Sequence, residues 1–220
     1  MSIRDNILKI KRELPSEVKL VAVSKFHPLE AIKEAFAAGQ TVFGENRPQE
    51  FEAKAKALEG EGIEWHFIGH LQTNKLKMVL PYASMVESID SLHLLEAIDA
   101  WGKKEGRVIN ALLELHIAAE ESKQGFYEEE ILDILFRAGS YPNVRFCGLM
   151  GMATNTDQTE VIEADFGRIK AFYDYLRDLF PELESFTELS IGMSGDWPIA
   201  LRYGATIIRV GTSIFGERQY

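Results

Sequence analysis

Lys25 is the first residue whose surroundings in the sequence suggest chemistry. It follows the apolar run 18–23 within VKLVAVSKFHP, and this run is typical of a strand buried on both faces. A lysine just inside the end of such a strand needs either a route to water or a task for its amine. An amine in a partly apolar pocket loses proton affinity and becomes a nucleophile that can form a Schiff base. The alternative is a lysine that simply extends to solvent, so other residues must decide.

Two glycine-containing loops near the end of the chain could hold an anion. They are SIGMSGD at 190–196 and GTSIFG at 211–216, with hydroxyl groups on Ser190, Ser194 and Thr212. Glycine lets the backbone approach an anion closely, and helix-opening N–H groups favour negative charge. Each loop alone is more typical of an ordinary turn. Together they follow the seventh and eighth predicted strands, where barrel proteins bind phosphate, and they predict a phosphate site.

Arg209 is the only charged residue in the apolar stretch TIIRVG. A guanidinium there needs an acceptor, which is either a salt-bridge partner on the outer side of the strand or a ligand atom. If the first and eighth strands are adjacent, Arg209, Gly211 and Thr212 come close to Lys25. An amine for an aldehyde, donors for a phosphate and a partner for a ring nitrogen are what pyridoxal 5′-phosphate requires.

Other notable residues follow the remaining strands, namely Asn46, His66, Gly69, His70, Asn74, Ser88 and Met150. His66 lies between Trp65 and Phe67 and is more typical of a core histidine with its hydrogen bonds satisfied. His70 and Asn74 are equally compatible with loop and helix-cap positions.

The sequence predicts neither a metal site nor a serine or cysteine nucleophile. The five histidines do not group with carboxylates at ligand spacing. GMSGD at 192–196 is not a G-x-S-x-G elbow, and Cys147, the only cysteine, lies in the middle of an apolar strand.

Strand and helix patterns alternate along the chain. The predicted strands are 18–23, 41–46, 63–72, 83–90, 107–117, 144–150, 185–192 and 205–211, and a helical pattern follows each of the first seven. An amphipathic helix within 1–14 precedes them. This alternation predicts one (β/α)8 TIM barrel over residues 1–220 with an extra N-terminal helix. A doubly wound open sheet is the alternative fold.

Composition and charge narrow the class of protein. The 220 residues are 46% hydrophobic and 26% charged, as in ordinary globular proteins. A net charge of −10 argues against nucleic acid or an anionic membrane as the main partner. The single cysteine fits a reducing compartment, and the first residues lack the pattern of a signal peptide, so a cytoplasmic location is predicted.

Seven sequence blocks resemble the pyridoxal phosphate homeostasis protein family, whose members are similar to the N-terminal barrel of alanine racemase. The blocks are VAVSK, FGENRPQE, WHFIGHLQTNK, KQGF (123–126), GLMGMA, LSIGMSGD and IRVGTSIFG, in this order. The resemblance runs from about residue 21 to the end. It implies pyridoxal 5′-phosphate as cofactor, bound as a Schiff base to Lys25.

The resemblance also implies roles for other residues. Arg209 is expected to face the pyridine nitrogen. The phosphate is expected to be held by Ser190, Gly192, Gly211 and Thr212, and the cofactor to be lined by Asn46, Ser88 and Met150. Two departures from the family pattern, Phe26-His27 before Pro28 and Pro48 in GENRPQE, concern the shape of the loops rather than the groups assigned to the cofactor.

Three functions remain open from the residues. The first is a cofactor carrier without turnover that balances vitamin B6 and amino-acid pools, with apo-enzymes as recipients. The second is an amino-acid racemase, which needs acid/base groups on both faces of the substrate, whereas Lys25 supplies only one. The resemblance favours the carrier, because the family is generally regarded as lacking a demonstrated enzymatic activity. A phosphosugar enzyme with an aldolase-like lysine would explain the phosphate loops but not Arg209. A monomer is expected.

Overall fold

The computed structural model of the chain describes residues 2–118 and 124–216. Within these ranges eight strands close into a parallel barrel, each strand pairing with its sequence neighbours and β8 with β1. The strands are β1 Lys19–Val23, β2 Val42–Glu45, β3 Glu64–Phe67, β4 Ala83–Ile89, β5 Ile109–Glu114, β6 Val144–Met150, β7 Glu188–Ser190 and β8 Ile207–Val210. The (β/α)8 prediction is confirmed. Its proposed extent, 1–220, includes residues outside the described ranges.

Helices surround the barrel, and an N-terminal helix is present as predicted. They are α1 Ile3–Glu13, α2 Leu29–Ala37, α3 Pro48–Ala57, α4 Leu76–Val79, α5 Leu92–Glu105, α6 Glu128–Phe136, α7 Thr159–Leu179, α8 Trp197–Arg202 and α9 Thr212–Phe215. The short helix α9 was not predicted. Its Ile214 is buried and accepts a 2.9 Å hydrogen bond from the Asn6 side chain of α1. The helix therefore forms through tertiary contacts rather than through a long local pattern.

Several strands are shorter than predicted. The seventh was expected over 185–192 but pairs only over Glu188–Ser190, and the third was expected over 63–72 but pairs only over Glu64–Phe67. Apolar residues next to the strands, such as Ile191, are buried without belonging to the ladder, so apolarity alone overestimates strand length. Because β1 ends at Val23, Lys25 lies two residues beyond its strand, in the loop at the mouth of the barrel, and not just inside the strand end.

The barrel interior has an apolar layer near one end and a polar layer above it. The apolar layer consists of Val21, Val42, Met85, Leu112, Cys147, Met150 and Ile207. Two residues further along β4 and β8 the inward side chains are Glu87 and Arg209, because alternate residues of a strand share one face. The larger core lies outside the barrel, between strands and helices, and includes Phe43, Phe51 and Trp65. Thus the polar layer faces the end at which the strands run into their following loops.

Candidate functional site

A cavity of about 510 Å³ opens at the carboxyl ends of the strands. Among the predicted site residues, it is lined by Lys25, Asn46, Arg209, Gly211 and Thr212. The other lining residues are Val23, Ile68, Gly69, His70, Glu114, Gln124, Met152, Met193, Ser194 and Gly195. Ser88, Met150, Ser190 and Gly192 are not among the lining residues. The structure therefore brings five of the nine predicted residues to one surface and places the other four behind it.

Arg209 projects into the barrel and not towards the outer helices. Its guanidinium donates to the Ser190 hydroxyl at 2.6 Å, to the Ser190 carbonyl at 2.9 Å and to the Gly151 carbonyl at 3.0 Å. Burial lowers the pKa of Arg209, and the charges of Glu87 and Glu114 oppose that shift. The side chain is 4% exposed and lines the floor of the cavity, where it presents a fixed positive charge.

Glu87 anchors this floor from below and was missed in the sequence. Its Oε1 atom lies 2.5 Å from His66 Nδ1, and its Oε2 atom accepts a 2.6 Å hydrogen bond from the Ser190 hydroxyl. Burial alone would raise the pKa of Glu87, but the hydrogen bond from His66 and the charges of His66 and Arg209 lower it overall. His66 is 1% exposed, in agreement with its interpretation as a core histidine. The sequence did contain a signal for Glu87, because this glutamate interrupts the predicted strand 83–90.

The remaining predicted residues support the site from behind. The Ser88 hydroxyl donates a 2.5 Å hydrogen bond to the Gly69 carbonyl and so fastens the loop after β3. Met150 belongs to the apolar layer. Gly192 has φ +93°, and a Cβ there would lie 2.7 Å from the Ala200 Cβ atom. The packing of the loop after β7 against α8 therefore requires glycine at position 192.

The loops after β7 and β8 form one surface of backbone donors. The Gly211 amide donates to the Ser194 hydroxyl oxygen at 3.2 Å and ties the two loops together. In the described part of the chain, the amides of Ser194, Gly195, Thr212 and Ser213 donate to no acceptor. Such a group of open N–H groups next to an arginine suits a phosphate.

Asn46 contributes an acceptor to the same cavity. Its Oδ1 atom is buried and has no hydrogen-bond partner among the described residues. A buried acceptor without a partner is unfavourable, so this atom is suited to a donor group on a ligand. Open donors on one side and an open acceptor on another fit a phosphorylated polar ring better than a purely apolar ligand.

Glu114 was also missed, although it ends the apolar strand INALLE. It is 4% exposed, lines the cavity from β5, and its pKa is raised to about 7 by burial, then by the charge of Asp90, against the opposing charge of Arg209. His70 Nδ1 lies 2.7 Å from Asp90 Oδ2 on the same side. This wall is acidic, in contrast to the donor surface of the loops after β7 and β8. Lys123 of the KQGF block lies outside the described residues.

Metal-binding clusters and membrane-spanning helices are both absent from residues 2–118 and 124–216. These residues contain no group of three or more histidine, cysteine, aspartate or glutamate side chains that could hold a metal ion. None of the helices formed by them is long and apolar enough to cross a membrane.

The sequence matches one family model and many curated relatives. The model, described as alanine racemase, N-terminal domain, matches residues 1–219. A pyridoxal phosphate homeostasis protein of Haemophilus influenzae is 37% identical over 205 residues, which cover 92% of this chain and 86% of the relative. The likeness therefore extends over nearly the whole chain, as the seven sequence blocks predicted.

Solved structures show the same architecture. PipY of Synechococcus elongatus, in a structure with pyridoxal phosphate bound, superposes with a TM-score of 0.90 and 36% identity, covering 98% of this chain and 100% of PipY. An alanine racemase of Clostridium difficile superposes with a TM-score of 0.78 at 14% identity, and the match covers 100% of this chain but 56% of the racemase. At that identity the racemase shows a shared fold only.

Proposed function

Because this chain belongs to the pyridoxal phosphate homeostasis proteins, within the alanine racemase N-terminal domain family, we propose that it binds pyridoxal 5′-phosphate at the barrel mouth. The observation that carries the proposal is the meeting of Lys25, Arg209 and the open amides after β7 and β8 around one cavity. An amine, a fixed cation and a phosphate cradle are the three groups that this cofactor needs. Its structural relative PipY has been solved with the same cofactor.

Each residue has a distinct task in this proposal. When bound, the cofactor supplies an aldehyde that forms a Schiff base with amines, and Lys25 is the amine that attaches it. Arg209 would face the ring nitrogen and, because it stays charged, would disfavour protonation of that nitrogen. The amides after β7 and β8 would hold the phosphate, and Asn46 Oδ1 would accept a hydrogen bond from a polar group of the ring. Ser190 acts indirectly, because its hydroxyl is already used between Glu87 and Arg209.

We propose further that the protein stores and delivers the cofactor without turnover. It would then serve vitamin B6 and amino-acid homeostasis in the cytoplasm, as a monomer, with apo-enzymes as recipients. The names of the relatives support the homeostasis role. Arg209 would also keep the ring nitrogen unprotonated and so weaken the cofactor as an electron sink, which favours binding and exchange over catalysis.

The attachment is tested by absorption spectroscopy, borohydride reduction and peptide mapping. The purified protein should show an absorption band that is lost on reduction, with a pyridoxyl group on the peptide that contains Lys25. Lys25→Ala should lose the band, whereas Lys103→Ala, a change at an exposed lysine of α5, should keep it. A protein that remains colourless with added cofactor would contradict the proposal.

Racemisation is the second candidate, and Glu114 is the observation that favours it. A carboxyl group with a pKa of about 7 in the same cavity as Lys25 could hold or release a proton near neutral pH. The measurement is exchange of the alanine Cα proton in deuterium oxide. Exchange by the wild-type protein that is lost in Glu114→Gln would favour the racemase, and absence of exchange would favour the carrier.

A further inference from the structure

A buried ion cluster lies behind the loop that carries Lys25. At its centre is Lys54 of α3, which is 6% exposed. Its Nζ atom donates to Glu45 Oε1 at 2.7 Å, to Glu50 Oε1 at 2.7 Å and to the Ser24 carbonyl at 2.8 Å. These three acceptors match the three protons of the ammonium group. Lys54 is therefore fully satisfied without reaching the cavity.

The cluster holds the chain on both sides of Lys25. Lys54 donates a hydrogen bond to the carbonyl of Ser24, the residue before Lys25. Glu50 Oε1 accepts a 2.7 Å hydrogen bond from the amide of Phe26, the residue after Lys25. The Ser24 hydroxyl also donates to Glu45 Oε1 at 2.6 Å. Both peptide neighbours of the lysine are thus fastened to one ion cluster.

The turn after Lys25 needs such support. Phe26 has φ +67°, and it is the one non-glycine residue with positive φ in the described ranges. A bulky side chain is unfavourable in this left-handed conformation and keeps it only where its surroundings enforce it. The Arg47 guanidinium lies 4.4 Å from the centre of the Phe26 ring and holds the side chain from the outside. The hydrogen bond from the Phe26 amide to Glu50 holds the backbone from the inside.

We propose that Glu50, backed by Lys54, is a positioning residue that directs the Lys25 amine into the cavity. Neither Glu50 nor Lys54 lines the cavity, so both act through the backbone around Lys25. The inference rests on the proposed cofactor site and deepens it, since it names what aims the attaching amine.

Glu50 is the better residue to change. Removal of Lys54 would leave the buried carboxylate of Glu45 without its cation, and such a protein is expected to fold poorly. Glu50→Ala removes the acceptor of the Phe26 amide and keeps Lys54 bound to Glu45 and Ser24. Glu50→Gln retains an oxygen acceptor and should restore the function.

Glu52→Ala is the matched control. Glu52 lies on the same helix, and its side chain is 25% exposed against 22% for Glu50. It pairs with a lysine four residues later, Lys56, at 2.7 Å, as Glu50 does with Lys54. Within the described ranges, neither member of this control pair is hydrogen-bonded to the loop of Lys25.

The experiment has one readout without cofactor and one with it. In the apo-protein, hydrogen exchange of the Phe26 amide should accelerate about tenfold in Glu50→Ala, the factor for one lost hydrogen bond to a charged group. With pyridoxal 5′-phosphate added, the dissociation constant should rise about tenfold, and the yield of borohydride-trapped adduct on Lys25 at fixed cofactor should fall. Glu50→Gln and Glu52→Ala should stay within about twofold of wild type in both readouts.

The outcomes separate this inference from the proposed function. Faster exchange at Phe26 with unchanged cofactor affinity would make Glu50 merely structural and overturn the positioning role. Equal effects of Glu50→Ala and Glu52→Ala on cofactor affinity would also overturn the positioning role. A wild-type protein that takes up no cofactor would instead contradict the proposed function, and the apo-protein exchange would still report whether Glu50 holds the loop.

Discussion

The Nη1 atom of Arg209 lies 2.6 Å from the hydroxyl oxygen of Ser190. The same hydroxyl donates to Glu87, whose Oε2 atom is 3.9 Å from Nη1. The serine therefore links a buried cation to a buried anion, and its hydroxyl has no free proton for a phosphate. This relationship separates residues that touch the ligand from residues that hold Arg209 in place.

Ser190→Ala and Ser194→Ala should have different effects. Loss of the Ser190 hydroxyl leaves Arg209 and Glu87 with one fewer partner and should lower the free energy of unfolding by about 1–3 kcal/mol. Ser194 lines the cavity and ties the two loops through Gly211, so its change should mainly weaken cofactor binding, by about tenfold. Urea unfolding and cofactor titration of both variants make the comparison. A phosphate role for Ser190 would appear as the larger affinity loss in Ser190→Ala.

Glu87→Gln should destabilise the protein by about 3 kcal/mol at pH 7, because it removes a buried anion that compensates the buried charge of Arg209. The pKa of Glu87 is lowered in the folded state from its ordinary value of 4.5. The stability that the carboxylate contributes is therefore present above pH 4.5 and is lost as the pH falls through the folded pKa. Urea unfolding at several pH values should show a wild-type advantage that shrinks below pH 4.5. If the difference in free energy of unfolding between wild type and Glu87→Gln did not change with pH, this would argue against a charged Glu87.

The effect of Glu114→Gln on stability should have the opposite pH dependence. The pKa of Glu114 is raised from 4.5 to about 7, so the folded state favours the protonated form. Its contribution to stability is complete below pH 4.5 and is lost as the pH rises through 7, by about 3 kcal/mol in total. In urea unfolding of the apo-protein, the variant should match wild type near pH 4.5 and be more stable at about pH 8. Glu129→Gln, at an exposed residue of α6, is the control and should show no such divergence.

Gly192→Ala should impair the loop after β7. A Cβ at this position meets Ala200 at 2.7 Å in a left-handed conformation, and strain and overpacking together should cost about 3 kcal/mol. Gly195→Ala is the matched control in the same loop, since no atom lies within 4 Å of its added Cβ. The thermal unfolding temperature should fall in Gly192→Ala and stay near wild type in Gly195→Ala, and the cofactor affinity of Gly192→Ala should fall as well. Equal behaviour of the two variants would show that the loop can relax around the carbon added at Gly192.

The strand pattern, the helix periods and the seven sequence blocks were enough to predict the barrel and five of the residues that line its cavity. Lys25, Arg209 and the two glycine loops could be found because each is a polar or glycine-containing interruption of an apolar pattern at a strand end. The closed parallel sheet then brings such positions together at one end of the barrel. Glu87 and Glu114 carried the same kind of signal and were overlooked, since both interrupt apolar strands.

What the sequence by itself determined is the order of elements, the family and the residues available for chemistry, because these follow from local periodicity and residue type. Only the tertiary structure decided which atoms are already used. It placed the Ser190 hydroxyl between Arg209 and Glu87, left the Asn46 Oδ1 atom without a partner among the described residues, and set Lys54 and Glu50 behind the loop of Lys25. Hydrogen bonds join residues that are distant in the chain, and their partners are chosen by burial and distance, which no local pattern in the sequence records.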